Sequence, residues 1–432
     1  MKAMRIRWAK TLALIMVVCM VVGVVVYKGG LVFVVSMNGQ NESPIEERAS
    51  IALSAPQWAQ RGAYLVQVGN CAACHTARGG LPFAGGKSID TPFGSVVTSN
   101  ITPDKLTGIG AWTAADFWQA MHHGRSKDGR LLYPAFPYTE YTRITRDDTD
   151  AMFAYLLSVQ PVQQANRPHA LKFPYNTQAA LAVWRALFFS PAPFEPVKTA
   201  SDEWNRGAYL VKGLGHCQAC HAPRNMFGAT ESKLGLSGGL IPMQKWYAPS
   251  LASPTEAGLQ DWALEDIMQL LKIGKTAHSS TLGPMAEVVF SSTQHLNPKD
   301  LKAMAHYLKE LPRQESATAE SKLANAESQQ IGQSLYEDQC ASCHGDKGEG
   351  RGDYPPLAGN RAVTMHSSVN LVRIILSGGF APTTQGNPRP YGMPPFGHIL
   401  SDPEVAAVAT HVRNAWGNQA GAVMPLDVQK TR

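Results

Sequence analysis

Six of the chain's seven cysteines fall into three short runs of one pattern: Cys71-Ala72-Ala73-Cys74-His75, Cys217-Gln218-Ala219-Cys220-His221 and Cys340-Ala341-Ser342-Cys343-His344. Two thiols three residues apart on one turn can form thioethers to the two vinyl groups of a single porphyrin. The histidine that follows then meets the iron, and C-x-x-C-H is the attachment pattern of c-type haem. Zinc would want tetrahedral Cys/His sets with a second ligand pair at a characteristic distance. Pairs 146 and 123 residues apart, each followed at once by His, do not suit that geometry. Three disulfides are the other use of six cysteines in an exported chain, and this spacing speaks against them too. The expectation is three covalently bound haem c groups, held through Cys71, Cys74, Cys217, Cys220, Cys340 and Cys343, with His75, His221 and His344 on the irons.

An iron with His on one side and a Met thioether on the other is suited to electron transfer with little rearrangement. In the third unit Tyr391-Gly392-Met393-Pro394-Pro395-Phe396 places Met393 in a rigid loop, 50 residues after Cys343. In the second, Gly283-Pro284-Met285-Ala286 offers Met285, with Met226, Met243 and Met268 as competitors. The first unit breaks the pattern: its loop reads Tyr133-Pro134-Ala135-Phe136-Pro137-Tyr138, and residues 124–150 hold no Met, His or Cys. Phe136 cannot bind iron. Five-coordinate iron, or ligation by Met121, His122, His123 or Met152, are the alternatives these residues leave. His216, His278, His295, His306, His398 and His411 read as ordinary packing or solvated residues.

These groups need elements to hold them. The segment Arg61-Gly62-Ala63-Tyr64-Leu65-Val66 recurs letter for letter at Arg206-Gly207-Ala208-Tyr209-Leu210-Val211, shortly before the second motif. Trp112, Asp116 and Gly124 match Trp262, Asp266 and Gly274 at a constant offset of 150, within stretches whose apolar residues recur at helical spacing. Each unit closes on an amphipathic helix, predicted over 147–159, 297–311 and 402–416. The second of these opens on Asn297-Pro298, a cap followed by a first-turn proline. The third unit is more diverged, keeping Gly332 and Tyr336 before Cys340, with a shorter helix around 371–376. Each unit reads as helix, haem motif, Gly/Pro-rich loop, helix, ligand loop, helix, the order of a small monohaem cytochrome c, with no sheet needed. The fold class is all-α: three tandem class I-like cytochrome c domains at 52–165, 199–315 and 329–420. About 100 residues cannot bury a large core alone, so a haem between the helices supplies apolar volume. Linkers fall at 160–198, with six prolines and an apolar patch at 180–189, and at 313–328, which is polar.

Over the 432 residues Lys and Arg outnumber Asp and Glu by 39 to 33, but Lys2, Arg5, Arg7, Lys10 and Lys28 precede every acid. The rest is nearly neutral, which sets a nucleic-acid partner aside. Residues 11–27 are 17 consecutive uncharged residues, and the apolar run resumes after Lys28. That length spans a bilayer of about 30 Å, a Lys at the edge snorkelling to the headgroups. The basic residues before it predict a cytoplasmic N-terminus. We therefore expect a transmembrane anchor over 8–36 and haem domains in the periplasm, on the inner membrane. A cleaved signal peptide is the rival reading, disfavoured by the length of the run and the lack of a small-x-small site. Cys19, inside this stretch, carries no chemistry.

Further segments, Asn100-Ile101-Thr102-Pro103-Asp104, Gly108-Ile109-Gly110, Lys127-Asp128-Gly129, the loop 134–141, the stretch 205–224 and the loop 391–396, extend the pattern over nearly the whole chain. With them the sequence resembles the three-haem cytochrome c subunit of membrane-bound periplasmic dehydrogenases that oxidise alcohols, aldehydes, sugars or polyols. The resemblance implies a separate catalytic subunit whose electrons pass through the haems to ubiquinone or a terminal oxidase. It also carries over the three motif His, the six Cys, Met285 and Met393. Family members that serve alcohol oxidation have Met where Phe136 stands. That departure, the anchor and the context Trp204-Asn205-Arg206-Gly207 look closer to cytochrome partners of molybdenum hydroxylase-type aldehyde or N-heterocycle dehydrogenases. Molybdopterin, pyrroloquinoline quinone and flavin partners all stay open. The expected function is an electron-transfer subunit, not an enzyme. The alternative is a haem enzyme such as a peroxidase on an open first haem, with Arg125 and His123 as the nearest acid–base residues. A gas sensor would need a signalling domain that the chain has no room for. Six haem propionates would turn the exported part acidic, so docking on a basic partner patch is expected, with salt-dependent electron transfer as its sign.

Overall fold

A computed structural model describes residues 56–314 and 325–432. The anchor expected over 8–36 lies outside the described residues, and among these no helix is long and apolar enough to cross a membrane. The described chain is mainly helical, and each unit is organised around one helix pair. Pro56–Val68 packs on Arg146–Ser158, Asp202–Tyr209 on Pro298–Lys309, and Ala326–Gln339 on Asp402–Asn414.

A glycine decides how each pair crosses. A Cβ on Gly62 would lie 1.8 Å from the Ala151 carbonyl oxygen, on Gly207 2.0 Å from that of Ala303, and on Gly332 2.2 Å from that of Ala407. Backbone meets backbone at these points, and any side chain would force the helices apart. The three contacts also put the units in register: Ala151, Ala303 and Ala407 are equivalent. The second closing helix begins at the expected cap, and the other two begin on caps of their own. Thr145 accepts from the Asp148 amide, Asn297 accepts from the Asp300 amide with Pro298 in the first turn, and Ser401 and Glu404 form a capping box. The second N-terminal helix continues through a π-helical segment, Leu210–Leu214, directly before its motif.

Small sheets, absent from the all-α expectation, occur in every unit. Ser88–Thr91 and Gly94–Val97 form a hairpin to which Ala170–Leu171 adds a third strand; Gly239–Ile241 pairs with Trp246–Ala248, and Gly379–Phe380 with Gly392–Met393, all antiparallel. They pin the long loops over the motifs. The apolar patch in the first linker is the helix Gln178–Phe188, which buries Leu181, Ala182 and Arg185.

The first two units share a single hydrophobic core, in which Leu65, Val66 and Met152 join Leu210, Leu214 and Leu296, whereas the third has a core of its own around Tyr336, Val372 and Val405. The joint between the first two is reciprocal. Arg61 Nε and Nη2 both donate to Asp148 Oδ1 (2.9 and 2.5 Å), and Tyr209 of the second unit donates to Asp148 Oδ2 (2.6 Å). Conversely, Arg206 donates to both oxygens of Asp300 (2.8 and 2.7 Å), and Tyr64 of the first unit donates to Asp300 Oδ2 (2.7 Å). Each unit thus offers the other a tyrosine and receives one. The third unit rests on the second, with Asn370 bonded both ways to the Tyr247 backbone (2.9 and 2.7 Å) and Lys275 paired with Asp353 (2.6 Å).

Candidate haem sites

The three C-x-x-C-H runs each form one helical turn, Cys71–His75, Gln218–His221 and Ala341–His344, set off from the preceding helix by a break in its backbone. Asn70 and His216 supply that break in the first two units, at φ 55 and 38, while Cys340 does so at φ −120 in the third. The histidines share one arrangement. His75 Nδ1 lies 2.7 Å from the Ser99 carbonyl oxygen, His221 Nδ1 2.8 Å from that of Pro249, and His344 Nδ1 2.9 Å from that of Pro355. A carbonyl oxygen only accepts, so Nδ1 carries the proton and Nε2 keeps a free lone pair for a metal. Desolvation by the surrounding protein lowers all three pKa values despite those hydrogen bonds, holding the rings neutral.

None of the six cysteines is in a disulfide. Burial, then the neighbouring motif cysteine, pushes the Cys71 and Cys217 thiols up to about 12 and Cys340 to about 11. Burial also raises the Cys74 and Cys220 thiols although Lys87 and Arg224 act against it, and thioether formation consumes a neutral thiol and asks for no charge. Next to the first motif lies a cavity of about 2880 Å³, walled by Cys71, Cys74, His75, Phe117, Met121 and Phe136 among others. It exceeds the ~300–1,000 Å³ of ordinary small-molecule pockets. A large planar apolar group between Cys71–His75 and Phe136 fits these residues. The cavity continues to Gln218, Cys220 and Arg224, so the first site opens onto the second motif.

The two motifs are also tied directly. The Gly69 carbonyl, two residues before Cys71, accepts from the Tyr141 hydroxyl (3.0 Å) and from His216, the residue before Cys217. The Tyr141 and His216 rings meet edge to face at 5.5 Å. His216, an ordinary packing residue on the sequence, is therefore part of the bridge between the first and second sites. Its position beside Cys217 was the one signal that pointed there.

The sixth-ligand positions follow from register. Gly124 and Gly274 end equivalent helices, Ala114–His123 and Leu264–Ile273, in left-handed geometry (φ 57 and 86). Leu132 N donates to Gly124 O and Thr281 N to Gly274 O, both at 2.8 Å, which makes Leu132 and Thr281 equivalent. Four residues further on in each chain segment stand Phe136 and Met285. Both pack half-buried against the shared core. Met393 is strand-paired with Gly379 and packs on the third core. Of the competitors to Met285, Met226 and Met243 are exposed (83% and 60%), and Met268 packs from a helix.

In the first unit His122 and His123 are not part of the cavity wall, which takes Phe117, Ala120 and Met121 from their helix. His122 stacks instead on Trp118 at 4.3 Å. Arg125 is likewise outside the wall, so the two acid–base residues of the peroxidase alternative do not reach it. Met121 and Met152 do line the cavity, and both are buried core residues. Their equivalents in the second unit, Leu271 and Met304, are core residues as well.

Comparison with known proteins completes the picture. The pattern of the family described as cytochrome c matches residues 59–160, 205–312 and 329–416. The chain is 39% identical over 391 residues to the cytochrome c subunit of alcohol dehydrogenase (quinone) from Gluconobacter oxydans (strain 621H), covering 86% of this chain and 82% of the relative. It is 38% identical over 397 residues to the gluconate 2-dehydrogenase cytochrome c subunit of Pantoea cypripedii, covering 86% and 89%. It is also 40% identical over 364 residues to a subunit of the nicotinate dehydrogenase of Pseudomonas putida, covering 82% of this chain and 30% of that longer relative.

Proposed function

Since the chain belongs to the cytochrome c family and is a three-haem electron-transfer subunit of the dehydrogenase type, we propose the residues and partners through which it works. Cys71 and Cys74, Cys217 and Cys220, and Cys340 and Cys343 hold the three haem c groups, His75, His221 and His344 are their first axial ligands, and Met285 and Met393 complete the second and third sites. The haem supplies reversible one-electron chemistry at its iron. The protein's own contribution is positional: the carbonyls of Ser99, Pro249 and Pro355 fix each imidazole tautomer and ring. Each Met held against a core lets electrons arrive and leave with little movement. The observation that carries this reading is the threefold recurrence of one Nδ1–carbonyl bond behind a C-x-x-C-H turn.

The haem domains occupy 52–165, 199–315 and 329–420, in the periplasm, with residues 8–36 anchoring them in the inner membrane; the 17-residue uncharged run supports this. Electrons come from a separate catalytic dehydrogenase subunit and leave to ubiquinone or a terminal oxidase. The likeness to the nicotinate dehydrogenase chain and Phe136 in the ligand loop support a partner that oxidises aldehydes or N-heterocycles with a molybdopterin cofactor. Detergent purification of the native membrane complex, with identification of the co-purifying subunit and its cofactor, tests this. A quinoprotein or flavoprotein subunit would replace the molybdopterin assignment. A chain released from membranes by alkaline carbonate would end the anchor.

A further inference from the structure

The first site differs from the other two in what the protein can offer the iron, and the difference is structural. The hydrogen bonds Leu132 N to Gly124 O and Thr281 N to Gly274 O superpose the two ligand loops, and Phe136 falls where Met285 stands. A phenyl ring has no donor atom. Of the neighbours with one, His169 lines the cavity but its Nδ1 accepts from Val97 N (3.1 Å), which puts the proton of the neutral ring on Nε2, and Met226 lines it from an exposed loop of the second unit. His122 and His123 lie outside the cavity wall, His122 being stacked on Trp118. Met152 is the counterpart of Met304 through the Gly62–Ala151 and Gly207–Ala303 crossings. Met121 is the counterpart of Leu271 through the paired glycines Gly124 and Gly274. In the second unit these two positions serve the core while Met285 stands in the ligand loop, and in the first Met121 and Met152 are just as buried, at 4% and 0% exposure. Taking either to the iron would strip a core position for no gain in packing.

We infer that the first site presents no protein ligand on its Phe136 side and takes a small diatomic ligand there, with carbon monoxide as the probe in the reduced state. The inference rests on the reading of Cys71, Cys74 and His75 as a haem site. Phe136 packs against Tyr138 and Tyr141 at 6.5 and 5.5 Å between ring centroids. It therefore forms an apolar lid over the ligand, suited to a neutral diatomic molecule and poor for a charged one. The second and third sites, closed by Met285 and Met393, take none.

The test uses the full chain purified in detergent with its haems attached. Mass spectrometry first counts covalent haems; fewer than three would remove the premise itself, separately from the ligand question. Reduced protein is then titrated with carbon monoxide. The expected result is one bound per three haems, two per three in Met285→Leu, and none in Phe136→Met. That last variant should also gain, in the oxidised protein, the weak sulfur-to-iron charge-transfer band of a Met-ligated haem. Where Phe136→Met does not accumulate, the wild-type and Met285→Leu stoichiometries decide. A wild-type protein with three haems and no carbon monoxide binding would overturn the inference. So would binding that appears only in Met121→Leu or Met152→Leu, since one of those sulfurs would then be the ligand.

Discussion

The reciprocal joint between the first two units allows an asymmetric prediction, because the two tyrosines make the same bond in unequal surroundings. Asp148 Oδ1 is held by Arg61, but among the described residues the one hydrogen bond to Oδ2 is from Tyr209, and the residue is 2% exposed. Tyr209→Phe therefore strands a buried carboxylate oxygen. Losing a hydrogen bond to a charged group costs about 1.5–3 kcal/mol, and the upper half of that range applies where no substitute exists. Asp300 Oδ2, which receives Tyr64, also receives Arg206 Nη2 at 2.7 Å and Asn297 Nδ2 at 3.4 Å. Tyr64→Phe leaves it satisfied and costs about 1 kcal/mol. For a unit of about 250 residues, 1 kcal/mol moves the midpoint by roughly 2–4 °C, so Tyr209→Phe should lower it by about 4–12 °C and Tyr64→Phe by about 2–4 °C. Differential scanning calorimetry of the haem-loaded protein reads this. The third unit, with its separate core, supplies an internal reference transition. Equal shifts for the two variants, a larger one for Tyr64→Phe, or a shift of all transitions together would refute the argument.

The same joint sets a pH window. Burial works against the charge of Asp300, but the bonds from Arg206 and Tyr64 outweigh it and hold its pKa below the usual carboxylate range. That contribution is complete above about 4 and fades as pH falls through the depressed pKa. Tyr64 and Tyr209 are raised, by burial first and by their Asp partners next, so their contribution is complete below about 10 and fades as pH climbs beyond it. Calorimetry from pH 3 to 11 should show a plateau with two falling limbs, and the double Phe variant should show a shallower alkaline one, the rest coming from Tyr138, Tyr141, Tyr247, Tyr307 and Tyr336, which burial also raises. Gly207→Ala should cost about 3 kcal/mol or more, since its Cβ would sit 2.0 Å from Ala303 O. Gly213→Ala, 3.4 Å from Arg143 Cβ, should be nearly neutral, as thermal melts of the pair will show. Cys340→Ala with Cys343→Ala should remove one haem of three by mass, and Met393→Leu should lower the potential of one haem in a spectroelectrochemical titration.

What was legible in the sequence was whatever is local. The C-x-x-C-H runs are five residues long, and the closing helices announce themselves by caps such as Asn297-Pro298; these lie where they were expected. The hairpins were not legible, because strands of two to four residues such as Gly239–Ile241 are too short to show a period of two. Phe136 was legible as the residue standing in the first ligand loop, but its residue-for-residue register with Met285 was hidden by length. The turn closed by Arg125 and Leu131 is one residue longer than that closed by Lys275 and Ser280, so the constant offset of 150 fails between the helix and the loop. Only the backbone bonds at Leu132 and Thr281 restore the register.

The joint is a subtler case, because its signal was visible and its meaning was not. Arg61-Gly62-Ala63-Tyr64 and Arg206-Gly207-Ala208-Tyr209 are identical, yet packing asks only for the glycine, which Gly332 also supplies. The arginine ties the helix pair of its own unit, Arg61 to Asp148 and Arg206 to Asp300, and only the tyrosine reaches across to the other unit. In the third unit the register puts Ile331, Ser334 and Glu404 where the first has Arg61, Tyr64 and Asp148, and Tyr336 turns inward to donate to its own Gly345 carbonyl at 2.6 Å. A polar pair repeated in two units and missing from a third is what a two-fold relation between those two requires, since each copy must give what the other receives. The partner of Tyr64 lies 236 residues away, beyond the reach of any periodicity, so the repeat showed which residues recur and not what they bind.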